Sequence, residues 1–362
     1  MKVLFEQLRV SFFEKILIQK QLNSGVFLKG TQVSSLEQEL AFFYGSKALC
    51  VSSGTQALVL ALEAIGISSR DEVLVQANTI AAGALAVAQC GGIPIFMDAV
   101  DVGKHNVSLD QVKKMCRPET KALILTHMYG EFAPETKKIA RYLKSRGIAL
   151  IEDCSHAHGL WIEADKKYAG QYGDISCFSL YPTKNLGAIG DAGYLLFPDD
   201  RWRKEVLKLR DYSSAEKITS YRSTNARCDE IQACVVRHRL KSLSKLNKLR
   251  QDKARYYHNN LDMIDKKHIL VPLFGGSIYY QYVIWINNGK RDLLRAWLKS
   301  KSIETAIHYP YPEYAKYAFG YEGVFPILKE TTEGLLSLPL YPSISIKSIK
   351  YVSRQIQKFF EK

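Results

Sequence analysis

Three groups of residues have types and spacing suited to chemistry. Lys184 sits in CFSLYPTKNLGAIGDAG, residues 177–193, where a short apolar strand breaks at Pro182, presents Thr183-Lys184-Asn185 and passes Gly187, Gly190 and Gly193. A glycine-rich loop of this kind lets backbone approach a ligand closely and holds an amine in position. Asp153 lies 31 residues earlier, at the end of the apolar run IALIED, so its carboxylate emerges where a strand leaves the core. Further upstream, Ser52-Ser53-Gly54-Thr55 joins an apolar strand to a strongly apolar helix. That junction offers an anion the free N–H groups of a helix start. An amine able to form a Schiff base, a carboxylate to face a ring nitrogen and a phosphate cup are the groups pyridoxal phosphate requires. Each has a bland reading alone: most of the 50 Lys and Arg are surface charges, and Ser-Gly-Thr is a good helix cap. Their order within one chain favours the chemical reading.

The elements that must position these groups alternate regularly. After the strand and helix around Ser53 come EVLVQ as strand, AAGALAVAQ as helix, IPIFMD as strand, a helix around 108–116, KALILTHMYG as strand, a helix near 134–146 and IALIEDCSHAHG as strand. Apolar strands without polar alternation, each followed by a helix, predict a parallel sheet covered on both faces. Ligands of such sheets bind beyond the carboxyl ends of the strands, which gathers Ser53 to Thr55, Asn78, Thr79, His127, Asp153 and His156 on one edge. Residues 1 to about 30 read as an irregular helix and a loop, FLKG, whose Gly30 permits a tight approach; SSLEQELAFFYG then reads as a helix capped by Ser34 and ended by Gly45. After Ala233 the pattern changes to a long basic helix reaching Asn260, a strand-like YYQYVIWI, a capped helix over 291–301 and a last helix after Ser345. The expected fold class is α/β. Residues 1–235 form a large, mostly parallel-sheet domain with helices on both faces and an N-terminal arm, and residues 236–362 a smaller α+β domain that closes over the substrate.

Composition bounds the partners. With 362 residues, 47% hydrophobic and 24% charged, the chain has the balance of a soluble globular protein. A net charge of +14 suits an anionic partner, and a phosphorylated small molecule fits better than nucleic acid because no recognised nucleic-acid module accompanies the scattered lysines. Seven cysteines without metal-type spacing indicate free thiols in a reducing compartment, with no metal site. Glu6, Arg9 and Glu14 interrupt any signal peptide, and Asn78, Gln89, Gly91, Gly92 and Pro94 divide the uncharged run 73–97, so neither export nor a membrane is expected. The expected location is cytoplasmic. His127 reads equally as a core histidine or a cleft residue, His158 as structural, and Trp202, Trp285 and Trp297 as packing.

The sequence resembles the sugar aminotransferases of the DegT/DnrJ/StrS type, which have the fold-type-I pyridoxal-phosphate architecture. The resemblance rests on FLKG at 27–30, SSGTQAL at 52–58, DEVLVQANT at 71–79, THMYG at 126–130, EDCSHAHG at 152–159, the Lys184 segment at 173–193, LRDYS at 209–213, NARCDEIQA at 225–233 and HYPYP at 308–312. It implies that Lys184 carries the cofactor as a Schiff base and shuttles protons, and that Asp153 contacts the pyridinium. It further implies that Gly54, Thr55 and Ser179 hold the phosphate, that His156 contacts the phenolic oxygen, and that Asn225 reaches the phosphate of a neighbouring subunit in a homodimer. Arg227, His308 and Tyr309 fall in segments that line a sugar-nucleotide cleft. Ile80 stands where the family usually has an aromatic residue stacked on the cofactor, forgoing about 1 kcal/mol of stacking. His156 replaces the usual glutamine, Asp191-Ala192-Gly193 the usual Glu-Gly-Gly, and Thr224 the usual glycine before Asn225. The presence of Lys184 speaks against the dehydratase branch, which has histidine there. The implied activity is amino transfer to a nucleotide-linked keto-deoxysugar, with L-glutamate as donor. A different substrate of the same cofactor, an amino acid or a cyclitol, stays open, as does a non-catalytic regulatory role.

Overall fold

Strands built from unbroken aliphatic runs need apolar cover on both faces, and the chain provides it. The computed structural model describes residues 1–103, 105–212, 222–272 and 275–361. Ser213 of the LRDYS motif lies outside them. The strands are β1 (Lys47–Val51), β2 (Glu72–Gln76), β3 (Ile93–Met97), β4 (Thr120–Thr126), β5 (Ala149–Asp153), β6 (Trp161–Ile162), β7 (Lys167–Tyr168), β8 (Ile175–Ser179), β9 (Gly193–Phe197), β10 (Ile269–Leu270), β11 (Tyr282–Ile286) and β12 (Leu335–Leu338). The helices are α1 (Phe12–Ser24), α2 (Thr31–Tyr44), α3 (Gly54–Ile65), α4 (Ala82–Gln89), α5 (Leu109–Met115), α6 (Thr136–Ser145), α7 (Asp200–Leu209), α8 (Glu230–Leu240), α9 (Leu243–Leu261), α10 (Arg291–Ser300), α11 (Glu313–Phe319), α12 (Pro326–Gly334) and α13 (Ile346–Phe360).

Seven strands form one sheet in the order β1-β9-β8-β5-β4-β2-β3. The pairs from β8 to β3 are parallel, whereas β9 runs antiparallel to both β1 and β8. Side-chain alternation divides the cover. Ile175 and Cys177 of β8 and Leu195 and Phe197 of β9 pack with α3, α4 and α7, while Phe178, Tyr194 and Leu196 pack with α2 and α8. On that second face α5 and α6 continue the cover over β2, β3, β4 and β5. The short hairpin β6–β7 lies between β5 and β8 in sequence. A separate three-stranded antiparallel sheet, β10-β11-β12, shares an apolar cluster with the second half of α9 and with α10 and α13. Val3 belongs to this cluster: its N–H donates to the Ser302 carbonyl and its carbonyl accepts from the Glu304 N–H, each at 2.9 Å. The N-terminal arm is thereby fastened to the last third of the chain.

Two expectations differ from the fold in detail. Helix α2 starts at Thr31 rather than after Ser34, because its cap is remote. The buried Glu230 carboxylate accepts from the N–H groups of Gly30 at 3.0 Å, Gln32 at 2.7 Å and Val33 at 3.4 Å. The approach is so close that a Cβ on Gly30 would stand 2.7 Å from Glu230 Oε2, which explains the glycine of FLKG. The long basic helix is two helices, α8 and α9, broken at Lys241 and Ser242 so that Leu240 and Leu243 both bury on the large sheet. The run 73–97 is strand, helix and strand, and among the described residues no helix is long and apolar enough to cross a membrane. All seven cysteines are free thiols.

Candidate active site

The strand ends bring the chemically suited residues together. A cavity of about 560 Å³ beyond the carboxyl ends of β1, β5 and β8 is lined by Gly54, Thr55, Asp153, His156, Ser179 and Lys184, and also by Ile80, His308 and Tyr309. Helix α3 opens on this cavity. Ser53 caps it by accepting from Gln56 N–H at 3.1 Å, which leaves the earlier N–H groups facing the space that Thr55 and Ser179 share. Gly54 is where α3 meets the end of β8: a Cβ there would lie 2.5 Å from Ser179 Cβ and 2.9 Å from its Cα. Gly54→Ala is therefore expected to push the α3 start away from β8, destabilising the fold by about 1–3 kcal/mol, as overpacking does, and weakening anion binding at this corner. Denaturant unfolding and a phosphate-competition titration would measure the two effects.

Lys184 is held from behind by α8 and α9. Asn247 accepts from Asn185 Nδ2 and donates to the His158 carbonyl, both at 2.8 Å; Arg239 donates to the carbonyls of Gly187 and Ala188; and Gln232 accepts from the Ile189 N–H. Within the cavity the ammonium lies 4.7 Å from the centroid of the Tyr280 ring, whose hydroxyl meets Thr183 Oγ1 at 3.1 Å. Burial pushes the Lys184 pKa down to about 8, against the opposing pull of Asp153 and Glu6. Asp153 ends β5 and accepts from the Ser155 N–H at 3.0 Å.

The three histidines of this region separate by their partners. His156 Nδ1 accepts from the Tyr129 N–H at 3.2 Å, which assigns the ring proton to Nε2, 3.4 Å from Tyr309 Oη. Burial, and then the neighbouring Lys184 charge, hold its pKa well below the ordinary histidine value, so the ring is neutral. His158 is structural, as expected: Nε2 bonds the Ser179 carbonyl at 2.8 Å. His127 is a satisfied core residue, fully buried, with Nε2 2.8 Å from Glu152 and Nδ1 accepting from the Ala133 N–H.

Asn225 and Arg227 do not line this cavity. Asn225 is exposed, and Arg227 pairs with Asp211. Sequence reasoning missed Phe5 and Glu6 of the arm and Tyr280 and Gln281 beside β11, all of which line the cavity. Their neighbourhood arises from contacts hundreds of residues apart, and no local pattern marks them.

Residues 12–357 match the sequence profile of the DegT/DnrJ/EryC1/StrS aminotransferase family. The chain belongs to this family. It is similar to the dTDP-3-amino-3,4,6-trideoxy-alpha-D-glucose transaminase of Micromonospora megalomicea, with 33% identity across 90% of this chain and 89% of that protein. It is also similar to the UDP-N-acetyl-3-dehydro-alpha-D-glucosamine 3-aminotransferase of Acidithiobacillus ferrooxidans, at 32% identity over 94% and 92% of the two chains. The crystal structure of the aminotransferase TlmJ from Streptoalloteichus hindustanus superposes with a TM-score of 0.91 at 25% identity, covering 99% of this chain and 98% of that one. The protein is accordingly an aminotransferase of the fold-type-I architecture, and pyridoxal phosphate is the cofactor of its family. The cavity's donor set fits that cofactor: a buried amine, a carboxylate and a helix start with two hydroxyl residues share one space.

Proposed function

We propose that this DegT/DnrJ/EryC1/StrS aminotransferase moves an amino group from L-glutamate to the ketone of a nucleotide-linked deoxysugar, as a cytoplasmic homodimer. The observation that carries the reading is the meeting of Lys184, Asp153 and the α3 start in one cavity, in a chain whose relatives act on dTDP- and UDP-sugars. When bound, pyridoxal phosphate supplies an aldehyde carbon and an electron-withdrawing ring that together make amino transfer feasible. The protein's own groups do the rest. Gly54, Thr55 and Ser179 would hold the phosphate at the helix start, and Asp153 would face the ring nitrogen and keep it protonated. His156 offers its Nε2 proton to an anionic oxygen. Lys184, with a pKa near 8, is close enough to neutrality to take a proton from a substrate carbon and return it. Ile80 would cover the ring without aromatic stacking. His308 and Tyr309 would meet the sugar.

The homodimer is supported by a set of exposed apolar side chains, Phe12, Phe13, Phe27, Leu28 and Phe42, on and around α1 and α2. In a dimer the exposed Asn225 would reach the neighbour's phosphate, and Arg227 would meet substrate in the shared cleft. Residues 1–235 would serve as the cofactor-binding unit and 236–362 as the unit that closes over the sugar. The deciding experiment is the visible absorption spectrum of protein reconstituted with pyridoxal phosphate, before and after L-glutamate. A lysine-linked cofactor band that disappears on adding glutamate is expected; a band untouched by glutamate would remove the donor, and no band at all would remove the catalytic reading.

A further inference from the structure

The arm places an acid where the reaction occurs. Residues 1–6 are pinned by the Val3 backbone bonds to Ser302 and Glu304 and by the Phe5 N–H, which donates to Glu304 Oε2 at 3.0 Å. Phe5 then stacks on His308 with ring centroids 5.6 Å apart, and Glu6 lines the cavity alongside Lys184. Among the described residues the Glu6 carboxylate has neither a hydrogen bond nor an ion pair. Burial raises its pKa, with Arg250 and Lys184 pulling the other way. A half-buried carboxylate without donors is costly unless something else supplies them. The backbone bonds of Val3 and Phe5 keep residue 6 at the cavity wall.

We propose that Glu6 is a specificity residue that accepts hydrogen bonds from the hydroxyls of an uncharged sugar ring and excludes sugars bearing a carboxylate. The inference rests on the nucleotide-sugar reading and adds the class of sugar to it. A sugar hydroxyl gives a carboxylate a charge-assisted bond, whereas a sugar carboxylate would bring a second negative charge beside the half-buried Glu6 carboxylate. Such exclusion by unpaired like charge is how a site rejects a near-isostere that differs at one carbon.

Calorimetric titration of the cofactor-loaded enzyme with UDP-glucose, UDP-glucuronate, dTDP-glucose and dTDP-glucuronate tests this, since members of each pair differ only at C6. In wild type the glucose form is expected to bind at least about tenfold more tightly than the glucuronate form. Glu6→Gln, which keeps the shape and removes the charge, is expected to shrink that ratio to below about threefold, mostly through tighter glucuronate binding, and Glu6→Ala to do the same. Equal binding by wild type, or an unchanged ratio in both variants, overturns the role of Glu6 and leaves the nucleotide-sugar reading standing. Failure of all four to bind wild type overturns this inference, since a carboxylate built to accept from ring hydroxyls would hold the glucose forms, while the nucleotide-sugar reading stands or falls by turnover with a nucleotide ketosugar.

Discussion

Replacing Lys184 with alanine is expected to abolish amino transfer, lowering turnover by at least about 10³-fold. Proton transfer by a positioned group alone contributes roughly 10²–10⁴-fold, and this side chain is also the one amine among the cavity's residues able to hold the cofactor covalently. Lys184→Arg keeps the charge near Tyr280 and Asp153 but offers no comparable nucleophile, so it is expected to be as inactive as alanine. Substantial turnover in either variant, measured with L-glutamate and a nucleotide ketosugar, would refute the assignment. The amine's titration gives a second measurement. Because burial lowers its pKa to about 8, acylation of Lys184 in the cofactor-free enzyme is expected to reach half its limiting rate near that pH, where exposed lysines are still protonated. Linkage follows in sign: the unfolded chain keeps this proton up to the ordinary lysine value of 10.5 and the folded chain only to about 8, so this group's contribution to stability improves as pH rises through that window.

The second large effect concerns Glu152, next to Asp153 but facing the core. Its carboxylate accepts from His127 at 2.8 Å, Gly170 N–H at 3.0 Å, Tyr172 N–H at 2.7 Å and Gly173 N–H at 2.6 Å, with no exposure to water. Glu152→Ala would leave these donors buried and unpaired. At roughly 1–3 kcal/mol for each group that cannot relax toward another partner, a loss of about 4 kcal/mol is expected. Urea unfolding of the variant would read it, and a change below about 1 kcal/mol would show that the donors find other acceptors. Burial alone would raise this carboxyl's pKa, but the His127 bond and the Gly173 and Tyr172 N–H groups outweigh it and hold the value below the ordinary 4.5. The stabilisation is thus present above that pH and lost as the solution is acidified through the lower, folded value.

Much of the architecture was legible because it is written locally. The alternation from Val51 to Asp153 needs only strand length, helix period and glycine turns, and it placed Asp153, His156 and the α3 start on one sheet edge, with the Lys184 loop following shortly after in the chain. The residues that resisted reading depend on distant partners. Ser34 looks like a helix cap, yet Glu230 outcompetes it by satisfying three N–H groups at once. The break at Lys241 and Ser242 carries neither glycine nor proline; it follows from where two leucines must bury. His127 could be resolved only once Glu152 and Ala133 were seen around it. Glu6 reads as an obstacle to a signal peptide in sequence and as a cavity wall in the fold.

The fastening of Val3 to residues 302 and 304 bears on how the protein is made. During synthesis the arm leaves the ribosome about three hundred residues ahead of its docking ledge, and the Glu230 that caps α2 follows its target by 200 residues. Contacts of such sequence separation form late and slowly. The large sheet can therefore assemble during synthesis while Phe5 and Glu6 wait outside it, and the reaction cavity acquires its full wall only after the segment from Ser302 to Tyr309 has been made.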